Sequence, residues 1–215
     1  VSSRTLNPSA EVAAGNAPFV LEATAISDAS SSLTTINNGG IISASITTVT
    51  GAPGANIVTA VRAIELTSST ANGVTINNSG QILGTIDFGS GGNNYILNVG
   101  NTGSGGAANP DTGVINTPNN YAVVAYAIDS QIAGFAPVTE TNVINFGAGT
   151  NHTLHVGAFG YVNSVIYANP GALAVTVDPN ATLFVANTST TGSLNASTFD
   201  VNGGTLGLTI SQNTT

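Results

Sequence analysis

His152 and His155 form an H-x-x-H pair and are the only histidines in the chain. On a strand, residues i and i+3 point to opposite faces, so the two cannot readily share a metal. No third ligand is evident, and the plainer reading is a pair of surface turn histidines. Carboxylates are the more serious test for catalysis. Glycosidases and lyases need two or three of them converging, often with Lys or Arg. Asp87 and Asp111 lie near Gly-rich turns, and Asp129 and Glu140 flank an apolar stretch, but none are paired in sequence. There is no Lys, and Arg62 is the only cation away from the N-terminal region. Gly89-Ser90-Gly91 and Gly103-Ser104-Gly105 resemble half of a nucleophile elbow, yet no G-x-S-x-G occurs. No Gly loop is followed by Gly-Lys-Ser/Thr, so a nucleotide-phosphate cradle is absent as well. These residues predict a protein that is not an enzyme and needs no cofactor.

Two weaker chemistries remain. The run Asp87 to Asn94 places carboxylate, amide and carbonyl oxygens in a Gly loop. Asp87, Asn93 and Asp111 are therefore candidates for weak calcium binding. The repeat pattern G-G-x-G-x-D of calcium-binding solenoids is absent, and ordinary Asx turns are the plainer reading. The second chemistry is ligand binding by a long Gly/Asn/Pro-rich loop over about 100–120, where Asn109, Asp111, Asn119 and the adjacent Tyr121 are candidates. Asn-x-Ser/Thr triplets at Asn77, Asn151, Asn180, Asn187, Asn195 and Asn213 occur as often as composition alone gives, so they say nothing about glycosylation.

The elements that would position these residues are legible in composition. The chain has 215 residues, 41% of them hydrophobic, with only 6% charged and a net charge of -8. Such a chain can bury a core. It has no basic footprint for nucleic acid or for an anionic membrane surface. Cys and Met are both absent. Disulfides, thiolate metal sites and Cys nucleophiles are thereby excluded, and the missing initial Met suggests a processed product or fragment. No apolar run reaches the ~18–20 residues that span a bilayer, and Tyr121 to Val138 reads as buried core. Thr, Val and Ile suit pleated surfaces, Gly and Asn suit turns, and the helix formers Lys, Glu, Arg and Met are scarce or missing. Missing Lys also means that strand edges are protected in some other way or are used for assembly.

Internal repeats sharpen this into an architecture. Thr35-Ile36-Asn37-Asn38-Gly39-Gly40-Ile41-Ile42 matches Thr75-Ile76-Asn77-Asn78-Ser79-Gly80-Gln81-Ile82 at an offset of 40. Ile86-Asp87-Phe88-Gly89 matches Ile144-Asn145-Phe146-Gly147 at 58, and Leu97-Asn98-Val99-Gly100 matches Leu154-His155-Val156-Gly157 at 57. Thr182-Leu183 and Thr205-Leu206 match at 23. These offsets approximate two, three and one units of about 20 residues, the length of one coil of a parallel β-solenoid. Stacked coils would bury a continuous core, pair backbones along the stack, and let equivalent Asn residues form amide ladders. Roughly eight coils would give a rod on the order of 40 Å long. The expected fold is all-β, a right-handed parallel β-helix over 34–215, with an irregular cap or strand-donating arm at 1–33. A β-sandwich is the alternative.

The segments INNSGQILGTIDFGSGGNN (76–94) and VNGGTLGLTI (201–210) resemble the passenger repeats of bacterial autotransporter adhesins. The resemblance covers about half the chain. It implies a right-handed parallel β-helix displayed at the bacterial cell surface or secreted, with a role in adhesion, aggregation or biofilm. The C-terminal barrel strands with which such proteins anchor themselves are not in this sequence. Three functions follow as expectations. The first is a non-catalytic structural or adhesive protein whose partners are copies of itself, a host or abiotic surface, or a glycan. The second is a self-assembling subunit of an extracellular filament or surface layer. The third is a polysaccharide-acting β-helix enzyme.

Overall fold

A computed structural model describes residues 19–44, 57–66, 73–89, 92–101, 122–125, 143–187, 194 and 196–210. Sixteen strands and no helix run through them. In chain order they are β1 (Phe19–Asp28), β2 (Thr35–Asn38), β3 (Ile41–Ser43), β4 (Ile57–Leu66), β5 (Thr75–Asn78), β6 (Gln81–Leu83), β7 (Thr85–Asp87) and β8 (Ile96–Val99). They continue with β9 (Ala122–Ala125), β10 (Val143–Asn145), β11 (His152–Val156), β12 (Gly160–Tyr167), β13 (Leu173–Val177), β14 (Thr182–Asn187), β15 (Ala196–Val201) and β16 (Thr205–Ile210).

Every ladder between these strands is parallel. The one antiparallel contact among the described residues is an isolated bridge, Asn101 to Ala158. Parallel neighbours need a crossover between them, and here other strands provide it. One sheet runs β2-β5-β8-β11-β13-β15. A second runs β1-β4-β7-β10-β12-β9-β6-β3, with β14 on β12 and β16 on β14. Strand β12 joins two stacks within that second sheet. Its Gly160–Ser164 part pairs with β9 and β14, and its Val165–Tyr167 part pairs with β10. The described strands thus form three parallel stacks visited in rotation, except that β15 follows β14 with no described strand of the third stack between them. The antiparallel hairpins of a sandwich have no counterpart among the described residues.

The matched repeats lie beside each other. Thr35 pairs with Thr75, Ile86 with Ile144, and Leu97 with Leu154. Offsets of 40, 57 and 58 are therefore single steps along the stack, lengthened by inserted residues, and not two or three units of 20. The first sheet accordingly has six strands where eight coils were expected. Strand β1 falls within the expected cap or arm at 1–33 and pairs with β4 at one end of the second sheet. Residues 1–18 lie outside the described residues.

Stacking turns like residues into columns. Ile26, Ile64, Ile86, Ile144 and Ile166 occupy successive registers. Ile64, Ile86 and Ile144 have no solvent exposure. A second column runs Ile36, Ile76, Leu97, Leu154 and Val175. Burying each such side chain contributes roughly 1.5–3 kcal/mol, and β-branched residues fit the pleat without losing rotamers that they would otherwise use. The alternation of buried and half-buried residues in β11 and β13 is the period-2 signature of strands with one face on that core.

Candidate functional site

The outer face of the first sheet carries a polar column. Following the register gives Asn37, Asn77, Asn98, His155, Thr176 and Asp200 at equivalent positions on β2, β5, β8, β11, β13 and β15. The three amides form a directed ladder. Asn98 Nδ2 donates to Asn77 Oδ1 at 2.8 Å, and Asn77 Nδ2 donates to Asn37 Oδ1 at 2.9 Å. Each amide dipole aligns with the next, the stacking that the parallel register allows. A second ladder closes the neighbouring corner, where Asn38 Nδ2 donates to Asn78 Oδ1 at 2.7 Å. Asn38 also receives the Gly40 amide on its Oδ1, and its Nδ2 reaches the Gly40 and Gln81 carbonyls. Further along the outer column, His155 Nε2 meets Asp178 Oδ2 at 2.7 Å, both about three-quarters buried.

The second distinctive site is internal, where the second sheet turns into the first. Phe88 stacks on Phe146 at 5.1 Å and on Tyr95 at 4.9 Å. Tyr95 stacks on His152 at 5.2 Å with an interplanar angle of 8°. Phe146 and His152 close the box at 5.5 Å. The four rings follow from register, since Phe88 and Phe146 follow the paired Asp87 and Asn145, while Tyr95 and His152 precede the paired Ile96 and Thr153. His152 Nδ1 accepts the Tyr95 amide at 3.3 Å, which assigns the remaining ring proton to Nε2 in the neutral imidazole. Tyr95 Oη and His152 Nε2 are both buried without a hydrogen-bond partner. Burial holds His152 below the ordinary imidazole pKa, against the nearby Gly149 carbonyl, which favours the charged ring. Burial likewise raises the Tyr95 phenol. The Gly92 amide opposes that rise without reaching hydrogen-bond geometry, and the Asp87 charge adds to it.

The H-x-x-H residues do point to opposite faces, but His152 is 1% exposed and belongs to the core. The reading of both as surface turn residues is corrected by the ring box, whose aromatic partners come from segments far apart in sequence. Tyr95 is fully buried too, while Tyr167 is half exposed.

Asp87 and Asn93 fill turn roles. Asp87 Oδ1 accepts the Gly89 amide at 2.9 Å, an Asx turn, and the Asn145 side chain at 3.2 Å. Asn93 Oδ1 accepts the Thr150 amide at 2.8 Å and its hydroxyl at 3.1 Å. Among the described residues no group of three or more His, Asp or Glu side chains could hold a metal ion. Asn109, Asp111, Asn119, Tyr121, Asp129 and Glu140 lie outside the described residues. Arg62 pairs with Glu65 at 3.2 Å. No described helix is long and apolar enough to cross a membrane. No protein family, curated protein or solved structure was found to match the chain.

Proposed function

We propose that the chain is a right-handed parallel β-helix serving as a non-catalytic structural or adhesive segment of a secreted or surface-displayed bacterial protein. The observation that carries this reading is the in-register outer column of polar side chains, Asn37, Asn77, Asn98, His155, Thr176 and Asp200, on a stack of parallel strands. Asn77 and Asn98 are themselves buried in the ladder, so the accessible part of this face is Asn37, Thr75, Thr153, His155 and Thr176, with the single carboxylate of Asp200 at one end. That chemistry suits sugar hydroxyls and other polar, uncharged surfaces, whose recognition does not depend on a charge pair. Handedness follows the strong preference for right-handed crossovers between parallel strands. The likeness to autotransporter passengers points the same way.

The test is adhesion of the purified chain to glycan arrays and abiotic surfaces. Two lysines placed on the outer face, Thr75→Lys with Thr153→Lys, should abolish binding while the circular dichroism spectrum stays that of the parent. Undiminished binding by that variant would remove this face as the working surface.

A second reading, a self-assembling subunit, is favoured by a different observation. Phe199, Val201 and Leu206 on β15 and β16 are 41%, 39% and 42% exposed. They continue columns that are buried one step earlier, at Val175, Val177 and Leu183.

A further inference from the structure

We propose that this chain stacks head to tail on a second copy of itself, with β2 and β3 of one copy adding in parallel to β15 and β16 of the next. The proposal deepens the self-assembly reading and rests on the strand stacks being successive coils.

The rotation of the stacks is in phase at the two ends. The last two strands, β15 and β16, belong to the first stack and to the stack of β3, β6, β9 and β14. The strand that follows in that rotation belongs to the stack of β4, β7 and β10, where β1 sits. Adding a second copy therefore continues the order of visits, with β2 and β3 meeting β15 and β16, while among the described residues the stack of β1 has no strand beyond the Val165–Tyr167 part of β12.

Register then fixes the contacts. Continuing the first sheet sets Thr35, Ile36, Asn37 and Asn38 beside Thr198, Phe199, Asp200 and Val201. Continuing the other stack sets Ile42 beside Leu206. The exposed apolar residues of one end would each acquire a neighbour about 4.8 Å away. Asn38 can lie against Val201 because its own amide is already satisfied inside its copy.

The amide ladder supplies a polar complement. Its donors all run toward β2, so the terminal donor, Asn37 Nδ2, has no acceptor among the described residues. At the opposite end the same column finishes in Asp200, an exposed carboxylate that among the described residues accepts the Asn202 side-chain amide at 3.2 Å. Stacking brings that donor to that acceptor. Asp200 is also the only charged residue on β2, β3, β15 and β16, so no like-charge pair opposes the contact. None of these edge strands carries the Lys that commonly blocks edge-to-edge pairing.

The chain has no Cys, so engineered thiols report cleanly. In Thr35→Cys with Thr198→Cys, oxidation should give a non-reducing ladder of covalent multiples, because only one copy's position 35 reaches another copy's position 198. Either single variant should stop at dimers. Thr35→Cys with Thr75→Cys joins register partners within one copy and should close intramolecularly. The unmodified chain should sediment as a concentration-dependent series, and Phe199→Asp should move its midpoint to at least tenfold higher concentration. No multiples from the 35/198 pair while the 35/75 pair closes would overturn head-to-tail stacking and leave the coil reading intact. Failure of both pairs would overturn the coils as well. A strictly monomeric unmodified chain at all concentrations would overturn the stacking whatever the variants do.

Discussion

Replacing Tyr95 by Phe is expected to stabilise the protein. The Tyr95 ring has no solvent exposure and is held between Phe88 and His152, contacts that Phe retains. Only the hydroxyl is lost, and it is buried without a partner. A buried hydroxyl that makes no hydrogen bond costs about 1–3 kcal/mol relative to water. Removing one oxygen leaves a void on the order of 10–15 Å³, worth about 0.3 kcal/mol at roughly 24 cal/mol per Å³. The net gain is about 1–2.5 kcal/mol. For a chain of this size 1 kcal/mol moves Tm by roughly 2–4 °C, so Tm should rise by about 2–10 °C. Calorimetry and urea titration at pH 7.5 would measure it, with an unchanged m-value showing that the unfolded state is not the cause. Tyr95→Leu is the control. It forfeits two ring contacts worth about 0.5–1.5 kcal/mol each and should lower Tm. A fall in Tm for Tyr95→Phe would refute the reasoning, because the hydroxyl would then hold a partner, either an internal water or the Gly92 amide.

The same box sets two pH limits. His152 is neutral in the folded state with its pKa depressed, so its contribution is complete above the ordinary imidazole value of 6.5 and is lost as pH falls below it toward the folded pKa. Urea midpoints should drop between pH 7.5 and 5, and His152→Asn, which keeps an acceptor for the Tyr95 amide, should flatten that drop. Tyr95 has a raised pKa, so its contribution holds below pH 10 and is lost as pH rises through the folded value, a slope that Tyr95→Phe should remove. Gly149→Ala should destabilise by about 1–3 kcal/mol or more, since its Cβ would sit 1.8 Å from the Gly92 carbonyl oxygen. Gly40→Ala meets nothing within 4 Å at an ordinary φ and should be neutral or gain up to about 1 kcal/mol, both read from thermal melts. Ile86→Ala, in the middle of the isoleucine column, should cost about 2–5 kcal/mol in a urea titration.

The parallel stacking was legible in the sequence because the eight-residue repeats carry turn chemistry together with core positions. Thr35–Asn38 and Thr75–Asn78 pair residue for residue. The number of strands in each stack was not legible, because insertions lengthen single steps. The isoleucine column steps by 38, 22, 58 and 22 residues, so no fixed period reveals it. Ladders of Asn were readable as a consequence of stacking, since like residues in register must meet. The ring box was not. Phe88 and Phe146 lie inside a repeat match, but His152 stands opposite Tyr95 without resembling it, and the H-x-x-H spacing points to His155 and not to the ring it meets. The signal that could have found it is alignment. Extending the 57-residue match upstream from Leu97 and Leu154 places Tyr95 against His152 two residues earlier.

The inserted residues make one more prediction, and it separates scaffold from site. Strand β8 keeps its register with both β5 and β11 although roughly 20 residues intervene before β9, and β9 still pairs with β6 and β12. Elsewhere the equivalent corner closes with Gly39-Gly40, Ser79-Gly80, or Asp178 to Ala181. Closure entropy grows only as about (3/2)RT ln n, so a connection of about 22 residues in place of about seven costs only about 1 kcal/mol. Replacing residues 102–120 by a four-residue Asn-Gly turn should therefore leave the fold in place and raise stability by about that amount in a urea titration. The replacement removes Asn109, Asp111 and Asn119 together. If residues 102–120 hold the ligand or calcium site, binding disappears while the melting curve improves. If the outer amide face is the site, binding survives. Loss of the cooperative melt would contradict the view that the stack alone sets the register, because residues 102–120 would then be needed to hold β8 and β9 in place.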